Sequence, residues 1–205
     1  MRKKLLALAL VFALVFALSA CGAAAPKEPQ KSQEMTDFEA AVDALPTEIT
    51  YDSWDAIRAA MDAYDALTEE EKTSADTTAL DAAKEQYMAL PVVADCITLQ
   101  KKLANPESLK IYGDIQRFTI IGTGATNIFT CVHFDSINSL GVYTGETRSE
   151  IVNGTAVCVE GETKLYGVED MTKYVSVEKL KEMGVEVETV SGKNIADAIG
   201  AEYVE

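Results

Sequence analysis

Histidine, tryptophan, cysteine and basic residues are all scarce in this chain. Its one histidine, His133, excludes a multi-histidine metal centre. Four cysteines are too few to staple 205 residues, so the fold must rest on a packed core. Only 18 Lys and Arg stand against 33 Asp and Glu, for a net charge of -15. Phosphate binding needs clustered cations, and this balance excludes a nucleic-acid partner. Ser139 and Ser191 lie in no Gly-x-Ser-x-Gly elbow. No Asp-x-Asp-x-Asp-Gly loop is present to gather the six to eight oxygens that calcium needs. Gly122-x-Gly124 lacks the third glycine and the following helix of a dinucleotide loop, and reads as a hairpin turn. The remaining composition, 48% hydrophobic and 25% charged, is that of a globular protein.

The N-terminus has the form of an export signal. Met1-Arg2-Lys3-Lys4 is positive, and Leu5 to Ala17 contains no polar residue. That stretch is short for a membrane span, which needs about 20 apolar residues, and fits a signal h-region. Leu18-Ser19-Ala20-Cys21 follows, and resembles the lipobox of bacterial lipoproteins. The resemblance implies a diacylglyceryl group on Cys21 and cleavage just before it. The expected membrane partner is then reached through that lipid, outside the cytoplasm, with each buried methylene contributing about 0.8 kcal/mol. Residues 1–20 take Arg2, Lys3 and Lys4 with them, so the mature chain sets 15 bases against 33 acids. Anionic lipid repels such a chain, which should stand off the membrane. Residues 21–36, with Pro26 and Pro29 and few large apolar side chains, read as a disordered tether.

The expected fold class is α+β: an acidic three-helix bundle over 37–90, then a domain of one helix and an antiparallel sheet over 91–205. Phe38, Ala41, Val42 and Leu45 form a stripe that Pro46 ends. Trp54, Ile57, Met61, Tyr64 and Leu67 form a second, between about Ser53 and Leu67. Thr68 to Glu71 has the form of a capping box, and Leu80, Ala83, Tyr87 and Leu90 mark a third helix from about Thr77. Helices this short must pack on one another. The segment holds 14 acids against Arg58, Lys72 and Lys84, a solvated acidic face. Ala44-Leu45-Pro46, Ile49-Thr50, Ala63 to Lys72 and Leu80 to Lys84 resemble the FIVAR-type three-helix modules of Gram-positive surface proteins. That resemblance implies a spacer fold and no catalysis.

In the second half, Val92, Cys96, Leu99 and Leu103 make a helical stripe that Asn105-Pro106 ends. Strand patterns follow at Leu109 and Ile111 with Phe118 to Ile121, at Ile128 to Phe134, at Leu140 to Val152, and at Thr155 to Val159 beyond an Asn153-Gly154 turn. Ser176 to Met183 reads as a helix, Val185 to Val190 as a strand, and Lys193 to Ile199 as a last helix. Leu103 to Ile111 together with Asn138-Ser139-Leu140-Gly141-Val142-Tyr143 resembles a small domain of bacterial lipoproteins with no attached activity. That domain pairs a helix ending in Asn-Pro-x-Ser with a sheet carrying an Asn-Ser-x-Gly-x-Tyr turn.

No catalytic, cofactor-binding or metal-binding residue is expected, and no cofactor; the one assigned site is lipid attachment at Cys21. Cys131 and His133 share a strand face, but no second histidine is available to serve them. Cys96 sits on a helix stripe and reads as core. Cys131 and Cys158 could be bridged only on adjacent strands, and in a simple meander the third run separates them. The expected function is that of a non-enzymatic surface lipoprotein that binds an envelope protein or the cell wall. Two alternatives stand beside it. One is an envelope-acting hydrolase or enzyme subunit, needing a cleft in 91–205 with two carboxylates. The other is a solute-binding lipoprotein, for which residues 91–205 are few to form two closing lobes.

Overall fold

The structure, a computed structural model, describes residues 31–121, 126–152, 154–158 and 175–205. The signal segment, Cys21, most of the tether and the Gly122-Thr123-Gly124 turn lie outside the described residues.

Helix α1 (Gln33–Asp43) begins four residues ahead of the expected Asp37, because Ser32 caps it by accepting from the Met35 amide at 3.0 Å. A 3-10 turn (Tyr51–Ser53) leads into α2 (Trp54–Asp65), which buries Trp54, Ile57 and Ala60. Helix α3 (Glu69–Ser74) opens on the expected capping box: Thr68 accepts from the Glu71 amide, and Glu71 accepts from the Thr68 amide. Helix α4 (Thr78–Met88) buries Leu80, Ala83 and Tyr87. Ring contacts join these helices, Phe38 to Tyr64 with centroids 5.6 Å apart and Trp54 to Tyr87 at 5.0 Å. Pro91 then starts α5 (Pro91–Gln100), whose Val92, Val93, Cys96 and Leu99 are buried.

The sheet comprises β1 (Lys110–Ile121), β2 (Thr126–Asp135), β3 (Thr147–Val152), β4 (Thr155–Cys158), β5 (Val185–Val190) and β6 (Glu202–Val204). Its order is β4-β3-β2-β1-β5, antiparallel throughout, and β6 pairs parallel with the first residues of β1. The first expected run, Leu109 and Ile111 with Phe118 to Ile121, is one strand, bent where residues 113–115 face only Val132 of β2. The third run is shorter than expected: residues 140–146 form a loop, and only Thr147 to Val152 is strand. Strand β3 lies between β2 and β4, so Cys131 and Cys158 occupy strands that are not neighbours. Val152 pairs with Thr155, while Asn153 of the expected Asn153-Gly154 turn lies outside the described residues. Helix α6 (Val177–Glu182), capped by Ser176, precedes β5, and α7 (Gly192–Ile199) joins β5 to β6.

The helices of 33–88 and the sheet share one cluster of buried side chains. It runs from Phe38, Trp54, Ile57 and Tyr87 through Val92, Cys96 and Leu99 to Ile111, Ile115, Val132, Ile151 and Ile195. Each fully buried aliphatic residue in it contributes about 2 kcal/mol. Phe118, Cys131, Leu180 and Val185 form a second, smaller cluster under α6. Both faces of the sheet are therefore packed, the second by the smaller cluster. Tyr51 fastens the halves: its hydroxyl accepts from the Val92 amide at 3.2 Å, and its carbonyl accepts from the Tyr87 hydroxyl and the Asn194 amide group.

Candidate functional site

The loop between β2 and β3 is held from four directions. At its start, the buried Asp135 turns one oxygen back on the chain, accepting from the amides of Ser136, Thr144 and Gly145 at 2.7, 3.1 and 3.0 Å. Within it, Asn138 Oδ1 accepts from the amides of Leu140 and Val142 at 2.9 and 3.2 Å. From outside, Asn105 Nδ2 donates to the carbonyls of Ile137 and Asn138, both at 2.9 Å. Ser108 Oγ accepts from the Ile137 amide at 2.8 Å while donating to the Asn105 carbonyl at 2.7 Å. Helix α5 ends at Gln100, earlier than the expected Asn105-Pro106, and the Asn-Pro-x-Ser segment forms a separate 3-10 turn (Pro106–Ser108). This turn and the Asn-Ser-x-Gly-x-Tyr turn, far apart in sequence, are thus one hydrogen-bonded unit.

What this unit presents is apolar. Leu140 is 85% exposed, Val142 60% and Tyr143 42%. Lys110 Nζ lies 4.6 Å from the centre of the Tyr143 ring and 3.1 Å from Glu202, whose hydrogen bond raises the lysine's pKa. A cavity of about 250 Å³ lies beside the loop, between Leu103, Phe134, Ile137 and Thr144. Amides bound by side chains cannot serve a sheet ladder, which is why the apolar alternation of Leu140 and Val142 does not become strand.

The other residues singled out in the sequence do not converge. His133 is partly exposed and faces Glu146 at 3.2 Å, whereas Cys131 is buried in the second cluster. Burial pushes the Cys96 thiol far above its ordinary pKa, which suits a core residue and not a nucleophile. Ser191 serves as the N-cap residue of α7, and Ser139 sits in the exposed loop. Among the described residues no cluster of three or more His, Cys, Asp and Glu could hold a metal ion, and no helix is long and apolar enough to cross a membrane.

A cleft of about 730 Å³ opens at the far end of β1, and sequence reasoning missed it. Arg117 and Thr119 of β1 face Glu188 and Glu186 of β5 across the ladder, and Lys181 of α6 stands beside them. Arg117 also lies opposite Thr130 of β2, whose hydroxyl donates to Asp95. Burial raises the Asp95 pKa; the Thr130 hydrogen bond and the nearby Arg117 charge oppose that shift. The cleft does hold two carboxylates, but Glu186 and Glu188 project side by side from one strand. A glycosidase sets its pair on either side of the scissile bond.

No family model matches the chain, and neither a curated protein nor a solved structure matches it. The fold defines an α+β protein with a helical layer on a mostly antiparallel sheet.

Proposed function

We propose that this chain is a non-enzymatic envelope lipoprotein, anchored outside the cytoplasm through a lipid on Cys21, that binds a protein partner through the 136–146 loop. Segment 37–90, three longer helices with the short α3 between the second and third, is then a helical module comparable to FIVAR-type spacers that supports the sheet and faces solvent with its acids. The observation that carries the reading is the pinned loop. Four polar side chains immobilise a backbone that exposes Leu140, Val142 and Tyr143. Rigid apolar groups lose little entropy on binding, and fixed loops on a scaffold are where binding residues concentrate.

Crosslinking on intact cells tests the proposal, with Cys21→Ala as the unanchored control and Leu140→Asp with Tyr143→Ala as the loop control. One protein captured by the anchored chain and lost from both controls is the expected result. Capture that is indifferent to the loop substitutions, or turnover of wall polymer by the purified chain, would overturn it.

A further inference from the structure

Arg117 is a half-buried cation that acts on the Asp95 carboxylate only through space and makes no direct ion pair among the described residues. Its Nε is buried and donates to no acceptor. Its cross-strand neighbour Glu188 is exposed, and the nearby Asp95 is engaged by Thr130. A buried guanidinium Nε loses its hydration without a compensating hydrogen bond. Its planar fork matches a carboxylate.

A simple anion fits the surroundings poorly. Glu186 and Glu188 stand next to Arg117, and the chain as a whole carries a net charge of -15. A ligand that brings its own cation meets both demands. We infer that the cleft between β1 and β5 binds a small zwitterion, a molecule with a free carboxylate and a free ammonium, of the amino-acid or short-peptide class. Arg117 receives the carboxylate, with Lys181 as a second cation. Glu188 and Glu186 receive the ammonium. Thr119 offers a hydroxyl between them, and Ile121, exposed at the rim, offers apolar contact. The volume lies within the range of small-molecule sites. This site is at the Ile121 end of β1, whereas the pinned loop is at the Lys110 end, so each reading stands or falls without the other.

Calorimetric titration of the full chain carrying Cys21→Ala, in detergent, tests the inference with dialanine as the probe. Saturable binding is expected, weakened about tenfold or more by acetylating the amine or amidating the carboxylate. Arg117→Gln should abolish the preference for a free carboxylate, and Glu188→Gln the preference for a free ammonium. Lys181→Gln, an exposed helix substitution, should weaken binding with unchanged circular dichroism, so a folding defect in the Arg117 variant leaves the question decidable. Absence of binding at about 10 mM dialanine would overturn the inference. Equal binding of N-acetyl-dialanine, or affinity unchanged in a folded Arg117→Gln chain, would overturn it too.

Discussion

Trp54 and Asp197 are 143 positions apart and share a hydrogen bond of 2.6 Å from the indole Nε1 to the Asp197 carboxylate. Arg58, one turn further along α2, reaches the same carboxylate at 3.1 Å. The first helical segment is thereby tied to the last helix, over a ring that is only 4% exposed. Asp197→Ala leaves the buried indole N–H with no acceptor, and the expected loss is about 1–3 kcal/mol. Asp197→Asn retains an acceptor oxygen and should lose less. Urea unfolding followed by fluorescence of the single tryptophan measures both variants and reports the indole's changed environment directly.

The shared core makes a second demand. Val92, Val93, Cys96 and Ile195 belong to the same buried cluster as Phe38, Ile57 and Tyr87, so removing residues 33–90 would open that surface to water. The expected outcome is a single calorimetric transition for the full chain, with equal van't Hoff and calorimetric enthalpies. A fragment beginning at Pro91 should fail to form a stable sheet. Two resolved transitions would show the halves folding independently.

The helices were legible because their signals are local. Of the Trp54, Ile57, Met61, Tyr64 and Leu67 stripe, Trp54, Ile57 and Leu67 are buried and Met61 and Tyr64 are half-buried against the same core, and Thr68 with Glu71 caps where the pattern places them. The loop was not, since Leu140 and Val142 alternate as a strand does. What excludes the strand is side-chain capture of backbone amides by Asp135 and Asn138, which hydropathy does not register. Strand β6 is three residues long and has no periodicity to read; its pairing with β1 comes from the return of α7. Arg117 was hidden because its neighbours Phe118 and Ile120 dominate the run, while the face it belongs to is set by register with Thr130 and Glu188.

The pinned loop can be tested without knowing its partner. Asn138→Ala removes the acceptor of the Leu140 and Val142 amides. Those two amides should then exchange with solvent markedly faster, at a stability cost of about 1 kcal/mol. Leu140→Ser touches no buried group and should change stability by less than about 0.5 kcal/mol. Hydrogen exchange resolved at these residues, set beside thermal unfolding, separates loop order from global stability.

The bend in β1 depends on two glycines. Gly113 holds φ at +59°, and a Cβ on Gly192 would sit 2.0 Å from the Gly113 carbonyl oxygen. Helix α7 starts directly against the strand backbone, with no room for a methyl group. Gly192→Ala must push the helix away, and a loss of about 3 kcal/mol is expected. Gly154→Ala meets open space and acts only through its backbone conformation, so it should be the milder change, about 1 kcal/mol. Denaturant midpoints of the two variants give the comparison.

Asp95 sets the sign of one pH dependence. Its carboxyl is half-buried between α5 and the sheet, and burial raises its folded pKa above the unfolded value of 3.8. A carboxyl with a raised folded pKa favours the protonated form on folding. Above that folded pKa the buried charge opposes folding in full. As pH falls through the folded pKa toward 3.8 the penalty is relieved, so this group alone makes the protein more stable on acidification. Asp95→Asn removes the charge and leaves an oxygen to accept from Thr130, so it should stabilise the chain at neutral pH. The advantage should shrink as pH is lowered toward 3.8, and Arg117, whose charge favours ionised Asp95, limits its size. Chemical unfolding of both chains across pH 7 to pH 4 gives the difference curve; an advantage that grows on acidification would contradict the assignment.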